Sequence, residues 1–261
     1  MTTNNNGLGN LDNLFQSAQA DGLTNNTMDL VVSNLNGPTM ATAVGTPLNQ
    51  IASNEVTLAM NIIDMSGSMA PHAADLIAAY NGDYLAAMRG SSAADDILMS
   101  TILFNQDVTL LHGYMPLKDI MPLTRSSYTP SGSTALYDAV AGGLTNMVLY
   151  AQQLRQSGVM VRCIVIVYSD GDDNASKQRA AQIRRAATEL LKHEIYTLAY
   201  VGFRSGGINP AELRKLADEI GFPDVLAAGL DHQELRRIFN LVSQSTISMS
   251  QQGAMPAGVF S

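Results

Sequence analysis

Cysteine is nearly missing from this chain: Cys163 is the one in 261 residues. No disulfide can form within the chain, which fits a reducing compartment. Cys163 lies inside the apolar run 161–167, where a lone thiol reads as a small core residue rather than a nucleophile. The opening Met-Thr-Thr-Asn-Asn-Asn-Gly has neither the basic nor the apolar stretch of a signal peptide. No run approaches the roughly 20 apolar residues of a membrane span. Cations are also scarce. There are 15 Lys and Arg against 23 Asp and Glu, a net charge of −8 and a pI of about 4.8. That balance disfavours sequence-independent binding to phosphate backbones. Arg179, Arg184 and Arg185 gather on one expected helix and read as a solvated face. The expectations are no nucleic acid, no membrane and a cytoplasmic location.

The length suits one large α/β domain with an extension. Residues 1–54 have no Lys or Arg and are rich in Asn, Thr, Gly and Ser, a low-complexity arm by composition. Apolar residues are still spaced through it, and 10–20 could form a short amphipathic helix with Leu11, Leu14 and Phe15 on one face. A flexible leader and an arm docked on its own domain or on a neighbouring copy both remain open. Residues 55–248 form the expected domain, and 249–261 a tail.

Within the domain, strand and helix alternate, as in a doubly wound, mostly parallel sheet. Strands are expected at 56–63, 96–104, 160–168 and 195–201. Only Asn105-Gln106 separates 96–104 from the run 107–111, so the latter is expected as an antiparallel edge strand. A long loop should then cover 112–133, a length usual for functional loops. Helices are expected at 69–88, 135–157, 177–193 with Ser176 as N-cap, from 209 behind an Asn209-Pro-Ala-Glu212 capping box, and from Asp231 to about 246. Gly142-Gly143 allows either close packing on the sheet or a break in its helix.

Three stretches bear chemistry. The buried-strand run before Asp64 leads into Asp64-Met-Ser-Gly-Ser68, with Gly67 permitting a tight turn. Ser131-Gly-Ser-Thr-Ala-Leu-Tyr-Asp138 opens a helix, and a second buried strand ends in Ser169-Asp170-Gly171. Ligands bind at such carboxyl ends in open α/β sheets. Taken singly, Asp64 and Asp170 could cap loops, and Ser66 and Ser68 could cap helices. Asp138, one turn after Thr134, could be a solvated or helix-start acid or could orient a hydroxyl.

In this order and placement the three stretches resemble the von Willebrand factor A (VWA) domain with its metal-ion-dependent adhesion site. The resemblance covers roughly 55–248 and points to a stand-alone intracellular bacterial type. Its D-x-S-x-S motif is matched by Asp64, Ser66 and Ser68, its isolated threonine by Thr134, and its T-D-G by Ser169-Asp170-Gly171. It implies a Rossmann-like fold with one antiparallel edge strand and a divalent cation, Mg²⁺ with Mn²⁺ or Ca²⁺ as alternatives, held by Asp64, Ser66, Ser68, Thr134 and Asp170. Mg²⁺ takes about six oxygens. In the resembled family one acid often binds through water. A divalent ion with one directly bound carboxylate keeps net positive charge and can accept an Asp or Glu from a partner protein.

The expected function is therefore metal-dependent protein–protein interaction. AAA+ ATPases and stress systems are the partner classes the resemblance suggests. The alternative is a structural subunit that self-assembles through its arm, with the metal only stabilising loops. An enzyme is not expected. The haloacid-dehalogenase pattern needs an acid where Ser66 stands, no Gly-rich loop with Lys is present, and no Cys–His pair is evident.

Overall fold

The computed structural model describes residues 13, 16–34, 45–171, 173–204 and 209–252. Six strands form one sheet in the order β3-β2-β1-β4-β5-β6: β1 (Glu55–Asp64), β2 (Ile97–Phe104), β3 (Val108–Pro116), β4 (Met160–Ser169), β5 (Tyr196–Arg204) and β6 (Asp224–Gly229). Every neighbouring pair is parallel except β2 with β3. β1 sits at the centre, and every residue from Val56 to Asp64 is buried. Its largely apolar run, interrupted by Thr57 and Asn61, follows from that position, because a central parallel strand meets helices on both faces.

Helices cover both faces. On one lie α1 (Asn25–Asn34), α4 (Leu136–Gln156), α5 (Ala180–Leu190) and α6 (Pro210–Ile220). On the other lie α2 (Ala73–Ala79), a π-helical turn (Tyr80–Leu85), α3 (Ala86–Arg89) and α7 (His232–Gln252). The alternating side chains of β1 serve both layers: Leu58, Met60 and Ile62 join the first core, Ala59 and Ile63 the second. The expected doubly wound sheet with an antiparallel edge is the fold observed.

Several expected boundaries move. The edge strand runs to Pro116 rather than 111, because register shifts between Met99 and Ile102 let the chain re-enter the ladder. The loop before α4 is shorter for the same reason. The helix expected at 69–88 starts as a 3₁₀ turn (Gly67–His72) containing Pro71 and widens to a π turn at Tyr80. That turn places Tyr80 and Tyr84 against Phe239 of α7, with ring centroids 5.9 Å away in each case. α5 begins at Ala180, and no side chain caps it. α6 keeps its capping box, and Asp231 Oδ1 accepts the Gln233 and Glu234 N–H groups at the start of α7. Gly143, unlike Gly142, lies against the sheet: a Cβ there would come within 2.5 Å of Ile62 Cδ1.

Part of the arm is packed on the domain. Ala18, Leu23, Met28, Leu30 and Val31 are buried in the core with α4 and α5. Residues 16–20 are helical, whereas Leu11, Leu14 and Phe15 of the expected amphipathic face lie outside the described residues, as do 253–261. Among the described residues, no helix is long and apolar enough to cross a membrane.

Candidate functional site

β1 and β4 end side by side, with Ile63 level with Tyr168, so the next residues, Asp64 and Ser169, emerge together. Ser169 Oγ donates to Asp64 Oδ2 at 2.6 Å, and the Ser66 N–H donates to Asp64 Oδ1 at 2.7 Å. Ser66 Oγ and Ser68 Oγ lie 3.0 Å apart, and Ser68 Oγ donates to Asp170 Oδ1 at 2.9 Å. Asp64, Ser66, Ser68 and Asp170 thus form one hydrogen-bonded chain across two loops. Neither serine caps a helix: the 3₁₀ turn after Ser66 has no side-chain cap, and α2 begins behind His72. Gly67 keeps an ordinary φ. Its N–H donates to Gly132 O at 3.0 Å, and a Cβ there would sit 3.3 Å from that same oxygen.

The third loop is brought in by backbone. Ser131 N–H donates to Met65 O at 3.0 Å, and Tyr128 Oη donates to Asp64 O at 2.6 Å. Gly132 turns the chain at φ 74°, a conformation that favours glycine. Thr134 is buried, and its peptide group is clamped to the Asp170 loop. Its N–H donates to Asn174 Oδ1 at 2.8 Å, and its carbonyl accepts the Asn174 and Ala175 N–H groups, both at 3.0 Å.

Asp138 stands in the first turn of α4 as a helix-start acid and bonds to no site hydroxyl among the described residues. Its carboxylate accepts the N–H groups of Lys177 and Gln178, at 3.0 and 2.7 Å on Oδ1, so it organises the loop before α5. Ser176 is likewise no N-cap of α5. Its Oγ donates to Asp173 and accepts the Asp138 N–H, which fixes the loop instead. Asp173 also accepts the Tyr137 N–H at 3.2 Å, and Asp172 lies outside the described residues. Asn174 and Tyr128 were missed from sequence. Their partners stand 40 and 64 positions away, and no local pattern marks them.

Electrostatically the site holds two buried carboxylates. Asp64 is fully buried and Asp170 nearly so, while Ser68 is exposed at the mouth. Burial pushes the Asp64 carboxyl up to about 6, against the bonds from Ser169 and Ser66, and the nearby Asp170 charge adds to the rise. Burial also raises Asp170, opposed by its Ser68 bond and by His72. Asp170 Oδ2 is buried and receives no hydrogen bond. Among the described residues, no group of three or more His, Cys, Asp or Glu side chains could hold a metal. The available donors are two carboxylates and hydroxyls, an all-oxygen set of the kind hard cations take.

No protein-family model matches the sequence, and no curated protein sequence matches it. Solved structures match in fold. The vWF domain of the type V pili tip protein Mfa5 from Porphyromonas gingivalis shares 12% identity at TM-score 0.50, over 77% of this chain and 98% of that one. A point mutant of the PilB minor pilin from Streptococcus sanguinis shares 14% at TM-score 0.54, over 77% of this chain and 64% of that one. The pilus adhesin SpaC from Lactobacillus rhamnosus GG, in an open conformation, shares 11% at TM-score 0.53, over 76% of this chain and 30% of that one. The chain thus spans under two thirds of the pilin and under one third of the adhesin. The sheet order, the single antiparallel edge and these likenesses define a VWA-like fold. At such identities the likeness is one of fold.

Proposed function

We propose that this chain is a non-enzymatic protein-interaction module that works through a divalent cation. Asp64, Ser66, Ser68, Thr134 and Asp170 are the residues that would hold the ion, Mg²⁺ first, with Mn²⁺ and Ca²⁺ as alternatives. The observation that carries the reading is Asp170 Oδ2, a buried anionic oxygen without a hydrogen bond, beside a second buried carboxylate. Such a group is costly to bury unless something positive meets it. A divalent ion bound directly by only one of the two carboxylates would keep net positive charge and, with the exposed Ser68 at the mouth, would attract an outside carboxylate. The partner would therefore be a protein presenting an Asp or Glu. The likeness in fold to a pilus adhesin and to a pili tip protein agrees with a binding role.

The test combines two measurements on the full chain. Mg²⁺ or Mn²⁺ should raise the thermal midpoint, since a ligand of the folded state alone stabilises it. Asp64→Ala should abolish that rise, and chelator should release the partner captured from native cells. An equal cation response in wild type and Asp64→Ala defeats the reading. The self-assembling alternative loses ground because Leu30 and Val31 of α1 are already buried in this chain's own core. A mass that grows with concentration in light scattering would restore it.

A further inference from the structure

The arm is fastened at both ends of α1. At its start, Glu189 of α5 accepts the Thr24 N–H, the Thr24 hydroxyl at 2.6 Å and the Thr27 N–H at 3.3 Å. All three of these donors belong to the arm. A glutamate in the last turn of α5 opposes that helix's own dipole, yet the same charge suits the start of α1, where amides lack helical partners. Glu189 is buried, so it serves the arm rather than solvent. At the other end, Ser33 Oγ accepts from Gln182 Nε2 at 3.1 Å, and Asn34 Oδ1 accepts from Gln178 Nε2 at 3.4 Å. Leu30 and Val31 are buried between these clamps, in the core that α1 shares with α4 and α5.

Gln178 is also where the site loop ends. Its own N–H is held by Asp138 at 2.7 Å, and four residues earlier the Asn174 and Ala175 N–H groups close on Thr134 O. The loop 173–178 therefore lies between α1 and Thr134 and is bonded to both. We infer that α1 is a detachable brace on the Thr134–Asp170 side of the site. Docked, it holds the loop 173–178 against Asp138 and Thr134. Displaced, it frees that loop, and the cation is held less tightly; only this last consequence rests on the metal reading above.

The double variant Leu30→Asp/Val31→Asp tests this in the full chain, because both changes lie in the arm and replace no residue of the site. Hydrogen exchange is followed at the amides of α1 and at Asn174, Ala175, Lys177 and Gln178. The expected result is loss of protection in α1 together with at least tenfold faster exchange at those four amides. Mn²⁺ affinity, read by paramagnetic resonance, should fall several-fold. Release of α1 with the four amides unchanged overturns the brace. Retention of α1 in the double variant overturns it too, since the docking would not depend on these residues. Thr24→Ala, which removes one Glu189 bond, should give the same pattern at smaller amplitude. If wild type binds no Mn²⁺, the metal reading fails, and the exchange data still decide the brace.

Discussion

Ser169 donates its hydroxyl to Asp64 Oδ2 at 2.6 Å, from the end of β4 to the end of β1. The bond fixes the orientation of a fully buried carboxylate and favours its charged form. Removing a hydrogen bond to a charged group costs about 1.5–3 kcal/mol. Ser169→Ala should therefore raise the Asp64 pKa above its present value near 6. A cation must then displace a more tightly held proton, so Mn²⁺ affinity at pH 6 should fall by roughly tenfold or more. Ser169→Thr, which keeps the hydroxyl, should restore most of it. Calorimetric titration of the three proteins is the check.

The same carboxylate predicts how the cation-free fold responds to pH. Asp64 has a folded pKa of about 6 against an ordinary 3.8. The folded chain binds this proton more tightly than the unfolded chain. Its contribution is thus complete below about pH 4 and is lost as pH rises towards about 6, a loss of about 3 kcal/mol. Asp64→Asn carries no charge to bury, and its amide can donate to Ser169 Oγ. In chelator it should be more stable than wild type at pH 7 and nearly equal at pH 4. Urea unfolding at the two pH values measures this, and equal stabilities at pH 7 would contradict the burial argument.

Gly142 and Gly143 are neighbours in α4 with opposite surroundings. A Cβ at Gly142 meets nothing within 4 Å, whereas one at Gly143 reaches 2.5 Å from Ile62 Cδ1 in the buried sheet. Gly142→Ala should gain about 1 kcal/mol of helix propensity. Gly143→Ala should lose about 1–3 kcal/mol through overpacking. Thermal midpoints of the two variants should move in opposite directions.

That pair shows where the sequence stops being readable. Two glycines in a helix leave close packing and a break both open, and which of them touches Ile62 depends on how α4 is rotated over the sheet. The strand-end residues were readable because their signal is local: β1 and β4 are mostly apolar runs, and Asp64 and Ser169-Asp170 stand at their ends. The mostly parallel sheet with helices on both faces followed from alternation, whereas the strand order came only with the structure. The length of β3 was hidden because its register shifts across from Met99 to Ile102 break the period of two. The role of Asp138 was hidden because its partners, Lys177 and Gln178, belong to a loop that only the packing of α5 brings near. No local pattern marks Glu189, because the threonines it holds lie more than 160 positions earlier.

Asn174 supplies a last test, since it lies outside the set matched by motif. Its Oδ1 holds the Thr134 N–H at 2.8 Å, and its own N–H returns to the Thr134 carbonyl at 3.0 Å. The two residues form a reciprocal clamp between the second and third loops. Asn174→Ala removes the side-chain half and leaves the Thr134 N–H of a buried residue without that acceptor, a cost of about 1–3 kcal/mol. If Thr134 takes part in binding, losing its clamp should weaken cation and partner binding together, although Asn174 would donate no oxygen to the ion. Thr134→Ala should behave differently: it removes a hydroxyl but keeps the peptide clamp, so the fold should hold its stability while binding falls. Asn174→Asp keeps the acceptor and should retain most of the wild-type stability. Denaturation and Mn²⁺ titration of the three variants separate these outcomes. Should Asn174→Ala leave both stability and binding at wild-type values, the clamp does not position Thr134.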